Sequence, residues 1–163
     1  MSANVIRNVT CQELDACAAV IRKAFSTVAA EFGLTFQSCP TNGAYITAQR
    51  LRCERQNGVL QYGLYREGRL AGFVALERKD NAVYVLEKLS VLPKYRHRGC
   101  GTALLDFAKI MVSQLGGGRI TIGIIEQNVV LKCWYQAQGF VSTGTATFPH
   151  LPFTVEFLEY RIP

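Results

Sequence analysis

Six consecutive residues of this 163-residue chain, Arg96-His97-Arg98-Gly99-Cys100-Gly101, are of types and spacing that suit a phosphate. They read Arg-x-x-Gly-x-Gly, between an apolar stretch that ends at Pro93 and a helical pattern that opens at Gly101. Glycines at such a junction let backbone N–H groups turn outward with no Cβ in the way. The first amides of the following helix have no intrahelical partner and lie at the positive end of its dipole. Together these features form an anion cradle fitted to a diphosphate. Lys94, Arg96 and Arg98 add cationic side chains at the same place. The stretch is not a P-loop, because no Gly-Lys-Ser/Thr follows. Nor is it the dinucleotide fingerprint, because Leu104 stands where a third glycine is needed.

Two other side chains could handle protons. Glu87 lies in the row Val83, Val85, Glu87, Leu89, Val91, which shares one side of a regular strand. A carboxylate in that row is costly unless it is solvated, paired or functional. A salt bridge to a neighbouring basic residue is the plain alternative to a role as base or ammonium anchor. Tyr135 falls seven residues after Asn128, two helical turns on, so the two share a helix face. Its plain alternative is a core aromatic beside Trp134. His150, in His150-Leu151-Pro152-Phe153, either lines an acceptor pocket or caps a strand end.

The elements that must position these residues follow from pattern. Asn4 to Val9 reads as a strand. Thr10 and Glu13 form a capping box, with Val9 and Leu14 spaced as a hydrophobic staple. Leu14, Cys17, Ala18, Ile21 and Phe25 then repeat at helical spacing to about Glu31. A loop over Gly33 to Asn42 leads to a second helix over Ala44 to Gln56. Val59 to Arg66 and Leu70 to Lys79 form a hairpin turning at Glu67-Gly68, and Ala82 to Val91 adds a third strand. The helix after the glycine loop shows Leu104, Phe107, Ala108, Met111 and Leu115 on one face. Arg119 to Ile125 reads as a buried strand. Asn128 to Gln138 is a short helix closed by Gly139. Phe140 to Phe148 and Phe153 to Arg161 form a last strand pair. The order β-α-α-β-β-β-α-β-α-β-β predicts one mixed, twisted α/β sheet of about seven strands with helices on both faces.

Composition narrows the function classes. The length fits a single domain over residues 1–163, able to bury ~70% of its unfolded surface. The start of the chain lacks the apolar stretch of a signal peptide, and no uncharged run suits a membrane span, which predicts a cytoplasmic protein. The six cysteines form no Cys-x-x-Cys pair and none neighbours a histidine at ligand spacing, so free thiols and no metal site are expected. Nothing near Cys133 in sequence would activate its thiol. The net charge of +6 could serve nucleic acid. Three of the positive charges sit at the glycine loop, however, and no basic stripe interleaves with aromatics. Cofactor phosphates account for the cluster more economically.

Val91-Leu92-Pro93-Lys94-Tyr95-Arg96-His97-Arg98-Gly99-Cys100-Gly101 resembles the strand-to-loop signature of the GNAT superfamily of acetyl-CoA-dependent N-acetyltransferases. Glu126-Gln127-Asn128, Trp134-Tyr135 and Gly139-Phe140 resemble that family's second signature, and the element order matches throughout. The resemblance implies that backbone amides from Arg98 to Thr102, through Gly99, Cys100 and Gly101, hold the CoA diphosphate with Arg96 and Arg98 beside them. It implies that Leu89 and Val91 line the pantetheine arm on a splayed fourth strand, the Leu89 amide polarising the thioester carbonyl. Asn128 and Tyr135 fall at the pantetheine region. Glu87 would orient the acceptor amine and take its proton through water, and Tyr135 would protonate the departing thiolate. The implied acceptor is a primary amine, on a small molecule or a protein, with His150 near it. The implied assembly is frequently a homodimer. A non-catalytic acyl-CoA-binding module and a basic nucleic-acid-binding domain are the rival readings.

Overall fold

The structure, a computed structural model, describes residues 3–163. Among the described residues, seven strands form one sheet: β1 (Asn4–Asn8), β2 (Leu60–Arg66), β3 (Arg69–Arg78), β4 (Val83–Val91), β5 (Arg119–Ile125), β6 (Val141–Ala146) and β7 (Val155–Arg161). Their order across the sheet is β1-β2-β3-β4-β5-β7-β6. Four α-helices of the described residues flank it: α1 (Leu14–Glu31), α2 (Ala48–Gln56), α3 (Cys100–Gln114) and α4 (Val129–Ala137). This is the predicted mixed architecture and element order.

The helices divide by face because their apolar stripes divide the sheet's residues between them. Leu14, Cys17, Ala18 and Ile21 of α1 and Leu51 of α2 pack with Phe73 and Ala75 of β3. Leu104, Leu105, Ala108 and Val112 of α3 pack on the opposite face with Val74, Leu76, Tyr84, Leu86 and Ile122, joined by Tyr135 of α4. Successive β3 residues thus serve opposite cores, as strand alternation requires.

Local signals set most boundaries. Thr10 N–H donates to Glu13 Oε1 at 2.9 Å, the return bond of the capping box. Arg7 and the Tyr65 hydroxyl donate to the same carboxylate, at 2.9 and 2.6 Å. Val9 and Leu14 are both buried in one cluster, as a staple requires. The predicted helix over Ala44 to Gln56 is instead a 3₁₀ turn (Gly43–Tyr45) followed by α2. Extended Ile46 and Thr47 separate the two, and the Thr47 hydroxyl caps α2 by accepting from Arg50 N–H at 3.1 Å. The hydroxyl cap at Thr47, on extended backbone, overrode the helical spacing. The final two strands are shorter than predicted, which leaves 147–154 as a connecting loop.

Candidate active site

Six of the sheet's strand pairings exist and five are antiparallel. The exception is β4 with β5. Among the described residues that parallel pairing covers only Val83–Arg119, Tyr84–Ile120 and Val85–Thr121. From Leu86 onward β4 parts from β5, while β5 stays paired with β7 along its whole length. The sheet therefore opens into a wedge bordered by the second half of β4.

That half of β4 is irregular. Ala75 stands opposite Glu87, but Phe73 stands opposite Ser90, so β4 carries one residue more than β3 between these pairs. The extra residue is a bulge. Lys88, inside it, adopts φ +55°, a left-handed conformation uncommon for a side-chain-bearing residue. The buried Ser90 hydroxyl donates to the Lys88 carbonyl at 2.9 Å and fastens the bulge. The bulge corrects one expectation. Glu87 and Leu89 do not share a side of the strand, because the added residue reverses the alternation. Leu89 and Val91 pack with Leu86 on the α3 face, whereas Glu87 lies in register with Ala75 on the α1 face. Leu92 N–H donates to the Ala71 carbonyl at 2.9 Å, so Gly72 and Val91 form a non-hydrogen-bonded pair. The alternating ladder then turns the Val91 and Leu89 amides away from β3, toward the wedge.

The wedge ends at the glycine loop. A 3₁₀ turn (Pro93–Tyr95) leads through His97, φ +60°, to Gly99, φ +80°, the N-cap of α3. A left-handed cap at that position favours glycine. The first helical bond from this cap runs from Ala103 N–H to the Gly99 carbonyl. The amides of Cys100, Gly101 and Thr102 precede it and point out of the helix end. Trp134 of α4 lies over Gly101, where an added Cβ would come within 3.4 Å of its ring. Gln138 donates to the Thr102 hydroxyl at 3.3 Å, tying α4 to the start of α3.

The cations of the loop separate into two kinds. Arg98 and Lys94 are exposed, whereas the half-buried Arg96 donates through Nη2 to the Ala24 carbonyl of α1 at 2.9 Å. Arg96 is expected to bring charge to a phosphate, and through this one nitrogen it also ties the loop to α1. Arg66, at the end of β2, reaches the same region, with Nη1 3.9 Å from the buried Cys100 Sγ and its guanidinium over the Tyr95 ring. Nothing in the sequence marks it.

Asn128 is the N-cap of α4, its Oδ1 accepting from Leu131 N–H at 3.2 Å. Tyr135 is 5% exposed, edge-on to Trp134 and Phe140. Burial pushes its phenol well above the ordinary range and keeps it protonated. Glu87 is half-buried on the opposite face, with Lys88 Nζ 3.2 Å from its Oε2. Burial pushes its carboxyl up, hydrogen bonding with Glu77 of β3 adds to this, and Lys88 opposes it. His150 is exposed in the 147–154 loop, its ring 5.8 Å from that of Phe148. That loop does not stand apart. Leu151 and Phe153 pack with Leu34, Cys39 and Ala44 of the α1–α2 connection and with Ile125 at the end of β5. Two chain segments thus meet beside the wedge on the Glu87 face.

The arrangement offers outward amides and positive charge at one end, two unshared strand amides along one edge, and a carboxyl and a phenol on opposite faces. No helix of the described residues is long and apolar enough to cross a membrane, and none of their His, Cys, Asp and Glu side chains group to hold a metal ion.

The backbone arrangement has counterparts. The structure superposes on the crystal structure of the ribosomal-protein-S18-alanine N-acetyltransferase from Escherichia coli with TM-score 0.77 at 15% identity, covering 98% of this chain and 94% of that one. It superposes on a PaiA N-acetyltransferase from Thermoplasma acidophilum in complex with coenzyme A with TM-score 0.75 at 20% identity, covering 98% and 99%. In sequence it is 32% identical over 82 residues to an uncharacterised N-acetyltransferase of Mycobacterium tuberculosis, covering 50% of this chain and 53% of that protein. The chain spans about half the length of the curated relatives it matches. Residues 28–140 match the model of the acetyltransferase (GNAT) family, a stretch that holds the wedge, the glycine loop and α4. The chain belongs to the acetyltransferase (GNAT) family.

Proposed function

We propose that this chain transfers an acetyl group from acetyl-CoA to a primary amine, directly and without a covalent enzyme intermediate. The parting of β4 from β5, with the α3 N-terminus following in the chain, carries the reading: it leaves strand amides unshared and helix amides unpaired, the two kinds of donor that an amide-bearing arm joined to a diphosphate requires. The Arg98-to-Thr102 backbone would hold the diphosphate, with Arg98, Lys94 and Arg66 supplying charge. Leu89 and Val91 would pair with the arm, and the Leu89 N–H would polarise the thioester carbonyl.

In the transfer, the acceptor nitrogen bonds to the carbonyl carbon and the carbon–sulfur bond breaks. One proton leaves the amine and one reaches the sulfur. Glu87 takes the first, through water, and Tyr135 supplies the second. Magnitude explains why a raised Glu87 helps. An ordinary Glu lies near ~4.3 and an alkyl ammonium near ~10.4, a gap of roughly 6 units or ~8 kcal/mol. Any upward push on Glu87 narrows that gap. The upward push on Tyr135 works the other way. A free phenol near ~10 already exceeds a thiol near ~8.5, so Tyr135 donates as the C–S bond lengthens and not before. His150 would stand at the acceptor entrance, on a loop packed against the α1–α2 connection.

A thiol-release assay over a panel of small amines and peptides, with acetyl-CoA as donor, tests the reading. Acetylated amine formed in step with free thiol is expected. Tight CoA binding by calorimetry with no release for any amine would instead leave a non-catalytic acyl-CoA module. DNA affinity that falls steeply with salt and is undiminished by CoA would favour the nucleic-acid reading.

A further inference from the structure

The bulge residue that the proposed chemistry does not use is Lys88. Its side chain is 10% exposed and bridges two elements. Nζ lies 3.0 Å from Glu54 Oε1 of α2 and 3.2 Å from Glu87 Oε2. Glu54 also accepts from Arg50 Nε at 3.3 Å through the same Oε1, while its Oε2 is buried with no hydrogen-bond partner. A buried carboxylate oxygen in that state is costly, so the carboxylate is held where it is by the cations on its other oxygen. On β3, Glu77 lies opposite Val85, one pair removed from Ala75 and Glu87 and on the same face. Glu77 thus stands diagonal to Glu87 on that face, and Lys79 Nζ lies 3.2 Å from Glu77 Oε1.

We propose that Lys88 and Glu77 are positioning residues for Glu87, the ammonium fastening it to α2 and the second carboxyl holding it from β3. The proposal rests on the reading of Glu87 as the base. It accounts for the left-handed backbone at Lys88. Only with the residue in the bulge do two successive side chains, Glu87 and Lys88, lie on the α1–α2 face. It also gives Glu87 two partners of opposite sense. Lys88 favours its charged form and Glu77, whose own carboxyl is pulled below the ordinary range by the bond from Glu87 and by Lys79, favours its protonated form. α1 turns Cys17, Ala18, Ile21 and Ala24 inward, and leaves Asp15, Arg22 and Lys23 exposed, Arg22 bonded to the Ile46 carbonyl. On β5, Arg119 is paired with Glu159.

The test compares Lys88→Met and Glu77→Gln by carbon-detected NMR titration of the Glu87 carboxyl and by the acid limb of the kcat/KM profile. The expected result is opposite displacement: the Glu87 midpoint rises by about one unit in Lys88→Met and falls by about one unit in Glu77→Gln. Lys88→Arg restores most of the wild-type value. Lys88→Gly, which removes the ammonium and relaxes the backbone, reproduces the Met result if the Met protein folds poorly. Midpoints that stay put, or move in the same direction, overturn the proposal. Midpoints that move as stated while the kcat/KM limb does not follow leave the positioning intact and remove Glu87 from the base role.

Discussion

The two ends of the wedge are built from different material. The proposed donor end is backbone: outward amides of α3, a left-handed glycine and strand amides freed by the departure of β5. The proposed acceptor face is side chain: Glu87, Lys88, Glu77 and Glu54 come from β4, β3 and α2, and the surrounding loops from 32–45 and 147–154. Backbone presents the same groups whatever residue bears them, so a donor end of this kind tolerates sequence change except where a Cβ or a φ forbids it. A side-chain face depends on every identity. The first suits a donor that is always the same molecule, and the second suits an acceptor that differs between enzymes.

Substitutions can break this contrast. The largest effect is expected for Glu87→Gln, with kcat/KM lower by ~10²–10⁴-fold and acetyl-CoA affinity nearly unchanged. An unchanged pH–rate profile in that variant would remove the acceptor face from the chemistry. Gly99→Val comes next. A β-branched residue at φ +80° costs on the order of 1–2 kcal/mol, and relaxing that strain displaces the cradle. Acetyl-CoA Kd is expected to rise ~10-fold or more by calorimetry, with the acceptor KM little affected. Equal losses on both substrates would mean the two ends are not separable. Tyr135→Phe should lower kcat by about tenfold with acetyl-CoA Kd preserved, and an unaltered kcat would return Tyr135 to the core aromatics. The smallest effect concerns stability alone. The Arg7 guanidinium, with the Tyr65 hydroxyl, holds Glu13 well below the usual carboxylate range. Its stabilisation is present above the ordinary carboxylate pKa and fades as pH falls. Melting temperature between pH 6 and pH 3, on the order of the carboxylate range, should therefore drop more in the wild type than in Glu13→Gln. Parallel curves would contradict that pairing.

Sequence alone grouped the residues of the proposed donor end and did not show how those of the proposed acceptor face meet, for physical reasons. Element order follows from periodicity, and the cradle from glycines adjacent in the chain. The bulge was invisible because Val83, Val85, Glu87, Leu89 and Val91 alternate without a break; the extra residue shows only against β3. The Lys88–Glu54 contact joins residues 34 apart, and Arg96 meets Ala24 across 72. Arg96 shows a contact that proximity in sequence does not reveal. Its neighbours suggest a phosphate ligand, and one of its nitrogens also ties the glycine loop to α1.

The parallel seam of three residue pairs has a thermodynamic consequence. Below it the sheet is continuous, and above it two half-sheets face each other with hydrogen-bonding edges unshared. A donor whose arm carries amides would serve there as the missing strand, and part of the fold's cohesion would then come from the bound donor. Stability would then track donor concentration as RT ln(1 + [L]/Kd), about 2.7 kcal/mol at a hundredfold excess over Kd. A cell rich in the donor would hold this protein closed and long-lived. A cell starved of it would hold the same chain in a looser form, more readily opened along the seam.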